Sequence, residues 1–168
     1  EAGLEQIGSL PATPVFADIN YWTGSLSPEK AALKITSATR AILAGNTNGH
    51  PAAWGPLRAL ADAHGLALIE DSTEALGSRY QGRTVGTFGD LSVFDFSQPS
   101  ALCSGEGGLL VTDNETLAHE LRYLRQRRLS DRGSVSVGSR VPLQAGMSEL
   151  TAALGLAQLA GLDDRLAA

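Results

Sequence analysis

The sequence predicts an α/β domain, a three-layer αβα sandwich around a mostly parallel or mixed sheet. Three observations predict it. Short apolar runs of strand length, such as LALIE (residues 66–70) and LSVFDF (91–96), alternate with longer stretches whose apolar residues recur at helical spacing. Strands that alternate with helices argue for a sheet with helices on its faces. The chain has 168 residues, 43% of them hydrophobic and 18% charged. That is enough for one domain with a sizeable core, and no internal repeat, low-complexity tract or linker divides it.

The elements follow in order. Residues 14–19 (PVFADI) read as a short strand. Ser27-Pro28-Glu29 opens a helix, with serine as N-cap, proline at the first position and an acid in the first turn; it is expected to run to about Ala38. Residues 41–44 (AILA) form a second short strand, followed by a polar loop over 45–51. Trp54, Leu57, Leu60 and Ala61 recur at helical spacing, and Gly65 closes that helix. Residues 66–70 read as a buried strand that ends in Asp71. Residues 79–88 hold a turn at Tyr80-Gln81-Gly82-Arg83 and a hairpin, and 91–96 are another strand. The turn Gly105-Glu106-Gly107-Gly108 leads into a strand at 109–112. Asn114 then caps a helix to about Arg127, and residues 147–159 form a strongly apolar helix. Ligands of such sheets gather at the carboxyl ends of strands. Asp71 and the segment 95–104 occupy such ends.

Charge and composition exclude several functions. The formal net charge is −5 and the pI is near 5.1, which gives no generic attraction to phosphate backbones or anionic membranes. No nucleic-acid or membrane partner is expected. The basic cluster Arg122, Arg125, Arg127, Arg128 and Arg132 reads as a solvated helix face or end. Cys103 is the single cysteine, so no intramolecular disulfide forms and a reducing, cytoplasmic setting fits. No apolar run approaches the roughly 20 residues that span a bilayer. The N-terminus has neither a basic start nor an apolar signal core, and it lacks an initiating Met. The expectation is a chain trimmed, processed or cut from something longer.

Four segments carry a resemblance. They are PVFADI (14–19), IEDSTEALGSRYQGRTVGTFGDLSVFDF (69–96), SGEGGLLVTDNETLAHELRYLR (104–125) and MSELTAALGLAQLAGLD (147–163). In this order and spacing they resemble the DegT/DnrJ/EryC1/StrS family of pyridoxal-phosphate-dependent aminotransferases, whose members mostly act on keto sugars attached to nucleotides. The resemblance covers nearly the whole chain. It implies the large domain of fold-type-I pyridoxal-phosphate transferases, with residues 1–168 as a single partial domain. The family's first cofactor-phosphate segment and its small C-terminal domain are absent from these residues. The implied partners are a second copy or a larger parent chain, with a nucleotide-sugar as possible ligand.

The resemblance also maps an active site. Asp71 matches the acid that pairs with the pyridine nitrogen and makes the ring an electron sink. Read from position alone, it is a strand-end residue capping a turn. Glu74 matches a position facing the ring or its hydroxyl; its plain reading is the surface start of a helix. Asp95 stands where the family has a serine that binds the cofactor phosphate. Ser100 stands where the family has the lysine that forms the Schiff base, and the turn at 105–108 fixes that alignment. A serine hydroxyl forms no imine and is a poor base at neutral pH. An ionised Asp95 sets an anion against a dianion unless it is protonated or a cation stands close. Gln144 replaces an asparagine that reaches the neighbouring subunit's cofactor phosphate, and Gly146 replaces an arginine, which glycine cannot imitate. The only lysines, Lys30 and Lys34, match no catalytic position.

The sequence therefore points first to a non-catalytic aminotransferase-like domain, a pseudoenzyme or binding module with no cofactor expected. The alternative is a pyridoxal-phosphate-dependent transaminase acting on a nucleotide-linked keto sugar, with its missing parts supplied in trans. A sugar dehydratase using the amine form of the cofactor ranks third, since such relatives keep a histidine base at the lysine position. The turn at 105–108 is read as a tight turn rather than an anion nest. His50, His64 and His119 lack metal-ligand spacing, so no metal site is expected. Cys103 is expected to be a small buried filler. The helix over 147–159, apolar nearly all round, suits an interface and predicts a dimer or a larger parent protein.

Overall fold

The computed structural model describes residues 12–125 and 145–167. Its centre is a four-stranded sheet in the order β1-β2-β5-β6. β1 (Ala41–Gly45) lies parallel to β2 (Ala67–Asp71), with Ile42 beside Leu68. β2 lies parallel to β5 (Leu91–Asp95), and β5 antiparallel to β6 (Gly108–Val111). The sheet is thus mixed, one of the two forms expected from the sequence. A two-stranded hairpin, β3 (Arg79–Tyr80) with β4 (Arg83–Thr84), stands apart from it.

Parallel strands need a crossover, and α2 (Trp54–His64) supplies the one between β1 and β2. Its apolar stripe buries Trp54, Leu57 and Ala61 against Ile42, Ala44 and Leu68. Gly65 ends it in the left-handed conformation at φ 62°. Trp54 stacks on Phe88 at 5.9 Å and donates its indole N–H to Asn46 Oδ1 at 2.8 Å. Burying a leucine side chain such as Leu57 contributes about 1.5–3 kcal/mol, so this face holds most of the core.

Strand alternation gives the sheet two unlike faces. Ile42, Ala44, Leu68, Glu70, Ser92 and Phe94 are buried on the α2 side. Asp71, Val93 and Asp95 are half-buried on the other, where α3 (Glu115–Arg125) stands across an open groove. No residue of α3, α4 (Glu149–Ala160) or α5 (Leu162–Ala167) is buried. Leu150 and Leu156 of α4 are 86% and 67% exposed. Among the described residues no helix is long and apolar enough to cross a membrane.

Two elements differ from expectation. Residues 12–18 form no strand; only Ile19 bridges, to Leu26. A strand needs a ladder partner, and no described strand lies beside this segment. α1 (Pro28–Ala32) begins as expected, with Ser27 accepting from the Lys30 amide, but stops well short of Ala38. There Thr36 and Thr39 divert the backbone: the Thr36 amide donates to Thr39 Oγ1 at 2.9 Å and the Ala38 amide to Thr36 Oγ1 at 3.3 Å. The other expected helices and strands lie within one or two residues of their expected ends, and α5 was not expected from the sequence. The Arg127 end of α3 falls outside the described residues.

Candidate functional site

The groove has a volume of about 1310 Å³ and runs along the carboxyl ends of β1, β2 and β5 beneath α3. Asp71, Glu74 and Asp95 line one end of it, and Arg122 and Arg125 of α3 line it as well. The fold therefore brings together three of the positions read from the sequence.

Each acid is already engaged. Asp71 closes β2, and its Oδ1 accepts the Thr73 amide at 3.0 Å, so it caps the turn that follows. Glu74 is exposed on the short 3₁₀ turn Thr73–Ala75, and its Oε2 accepts the Asn48 amide at 2.8 Å. Asp95 ends β5. Ser97 occupies both its carboxylate oxygens, the amide on Oδ1 and the hydroxyl on Oδ2, each at 2.8 Å. The Asp95 amide in turn donates to Thr73 Oγ1 at 3.1 Å.

Ser100 is not among the groove's lining residues. Its hydroxyl closes on its own loop, donating to the Leu102 carbonyl at 2.6 Å and accepting the Leu102 amide at 3.3 Å. Arg165 of α5 donates from Nε to the Ala101 carbonyl at 2.8 Å and so holds the same loop from outside. Lys30 and Lys34 are exposed and do not line the groove either. Gly146 is exposed, and Gln144 lies outside the described residues.

Cys103 corrects an expectation. It is half-buried rather than a buried filler, with Sγ 4.0 Å from the Ser97 carbonyl. The loop of residues 97–101 is largely exposed and offers no apolar enclosure for it. The turn at 105–108 is tight, with Gly105 and Gly107 at φ 80° and 96°.

The described lining offers pyridoxal phosphate no amine. The groove is lined by no lysine, histidine or cysteine among the described residues. The hydroxyl at position 100 is turned into its loop. What the groove offers is the carboxylates of Asp71, Glu74 and Asp95 and the guanidinium groups of Arg122 and Arg125 on α3.

Glu70 was not singled out from the sequence. It is 0% exposed, on the core face between the groove and α2. The signal was present: residues 67–71 alternate, which places Glu70 on the same side as Leu68. An acid on a core face demands partners.

The sequence profile of the DegT/DnrJ/EryC1/StrS aminotransferase family matches residues 2–168. GDP-perosamine synthase of Escherichia coli O157:H7 is 36% identical over 163 residues, which are 97% of this chain and 44% of that protein. The spore coat polysaccharide biosynthesis protein SpsC of Bacillus subtilis is 37% identical over 162 residues, 91% of this chain and 42% of that protein. Among solved structures, DesV of S. venezuelae in complex with a ketimine intermediate superposes with a TM-score of 0.82 at 35% identity, covering 97% of this chain and 43% of that one. An aminotransferase from Psychrobacter cryohalolentis gives 0.81 at 31% identity, with 97% and 44% covered. The chain thus spans less than half the length of the relatives it matches.

Proposed function

The chain belongs to the DegT/DnrJ/EryC1/StrS aminotransferase family, and from that premise we propose that it is a non-catalytic, aminotransferase-like binding domain. The observation that carries this reading is the state of the loop at 95–102. Ser100, which the family resemblance matches to the lysine, has its hydroxyl closed on Leu102, and Asp95, which it matches to the phosphate-binding serine, has both oxygens held by Ser97. The loop is satisfied by its own groups. An aldehyde cofactor needs an uncharged amine within bonding reach, and the lining residues supply none.

The relatives' names place them in sugar and polysaccharide biosynthesis. A nucleotide-linked sugar is therefore the ligand class proposed for the groove, with its phosphates toward Arg122 and Arg125. Apolar α4, unburied in the single chain, supports a second copy or a larger parent chain as partner. The compartment proposed is the cytoplasm, where the unpaired Cys103 stays reduced.

One observation favours the alternative of a transaminase completed in trans: Asp71, which the resemblance matches to the ring-nitrogen partner, lines the groove. Titration with pyridoxal phosphate of the purified chain, alone and with candidate partner chains added, separates the two. The proposal expects no visible absorbance beyond that of free cofactor. A saturable colour fixed by borohydride contradicts it.

A further inference from the structure

Glu70 accepts hydrogen bonds from six donors. Oε1 takes the Asn46 side-chain amide at 3.1 Å, the Ser72 hydroxyl at 2.8 Å and the Gly86 backbone amide at 2.6 Å. Oε2 takes the Phe88 and Gly89 amides at 2.8 and 3.3 Å and the Ser92 hydroxyl at 3.1 Å. Among the described residues no ion pair reaches it. A buried carboxylate without a cation is costly, and charge-assisted hydrogen bonds are what offset that cost.

The donors come from different parts of the chain. Asn46 follows β1 and lines the groove, Ser92 lies in β5, and Gly86, Phe88 and Gly89 belong to the loop that leads into β5. The network continues outward, since Asn46 Oδ1 accepts both the Ala52 amide at 2.9 Å and the Trp54 indole at 2.8 Å. The loop is pressed hard against the sheet. A Cβ on Gly86 would lie 2.4 Å from the Phe94 ring, and one on Gly89 would lie 2.6 Å from the Leu91 carbonyl oxygen.

We infer that Glu70 is the positioning residue of the groove: a single buried carboxylate fixes Asn46 in the groove wall and ties residues 86–89 to the sheet, whatever the groove binds. Glu70 and Asp71 divide the end of β2 between them, one anchoring the framework and the other facing the groove. An amide cannot substitute. Glutamine would bring an NH₂ donor to a place where N–H groups already converge.

The test is amide and indole hydrogen exchange read by NMR, which needs no ligand and so stands apart from the cofactor question. In the unmodified chain, the Gly86, Phe88 and Gly89 amides and the Trp54 indole are expected to open as one unit, with protection factors within about tenfold of each other. Glu70→Gln is expected to lower protection of those three amides at least about tenfold and to shift the Trp54 indole resonance, with α2 amides unaffected. Glu70→Asp, which keeps the charge, is expected to restore part of the loss. A wider spread in the unmodified chain overturns the inference even if the variants fail to fold. So does a smaller loss in Glu70→Gln, or a Glu70→Asp that recovers nothing.

Discussion

Placing a lysine back at position 100 should not by itself restore cofactor binding. Ser100→Lys gives up two neutral hydrogen bonds to Leu102, at 2.6 and 3.3 Å. Each contributes about 0.5–1.5 kcal/mol, so the loop loses about 1–3 kcal/mol of local order. Asp95 remains the larger obstacle. One unit-charge pair about 4 Å apart at an effective dielectric of about 20 costs roughly 4 kcal/mol, close to three decades in affinity. Asp95 is half-buried, so solvent screening takes part of this. Asp95 would also favour the protonated form of an introduced amine, which is the form that does not attack an aldehyde. The double variant Asp95→Ser with Ser100→Lys is therefore expected to bind pyridoxal phosphate one to three decades more tightly than Ser100→Lys alone. The assay is a visible-absorbance titration with borohydride trapping, with circular dichroism to show that both variants fold. Equal affinity in the two variants would refute the argument, because Asp95 would then be no barrier.

Further substitutions probe the fold and its assembly. Gly86→Ala places a methyl 2.4 Å from the Phe94 ring at a residue with φ 87°, and urea unfolding should show a loss of about 2–4 kcal/mol. Ser27→Ala removes the N-cap of α1, with an expected cost of about 1 kcal/mol in the same assay. The Ser27 hydroxyl also holds the Glu29 carboxyl below its ordinary range, helped by a backbone hydrogen bond. That depression contributes stability above the unfolded carboxyl pKa, and the contribution is lost as pH falls through the folded value. In Ser27→Ala, NMR should therefore show the Glu29 titration moving up. Leu150→Arg with Leu156→Arg puts charge on the exposed face of α4. It should shift sedimentation from an associated species to the monomer, and unchanged sedimentation would remove α4 from the interface.

The legibility of the sequence varied with the strength of local signals. α2 was fully legible because Trp54, Leu57 and Ala61 share one stripe and Gly65 terminates it. β1, β2 and β5 were legible as apolar runs between polar loops. The segment PVFADI was not, because an apolar run specifies a strand only when a neighbour supplies the ladder. The end of α1 was obscured by Thr36 and Thr39, whose hydroxyls compete locally for the backbone. Asp71 and the segment that begins at Asp95 were legible as strand ends, whereas Glu74 was singled out only through the family resemblance. The loop closure of Ser100 and the capping of Asp95 by Ser97 depend on side-chain rotamers, which residue types do not reveal. Glu70 was missed because an acid within a strand was read as part of the strand. Its alternation with Leu68 marks it as a core-face charge, whose partners come from positions as far away in sequence as Asn46 and Ser92.

A non-catalytic binding domain of this kind seats no aldehyde coenzyme. Intact-mass spectrometry after incubation with pyridoxal phosphate and borohydride, followed by peptide mapping, tests it most directly. No saturable adduct is expected, with any trace labelling confined to exposed amines, such as Lys30, Lys34 and the terminal amine, and proportional to reagent. A stoichiometric, saturable adduct in the groove, within one chain or between two copies, would contradict it.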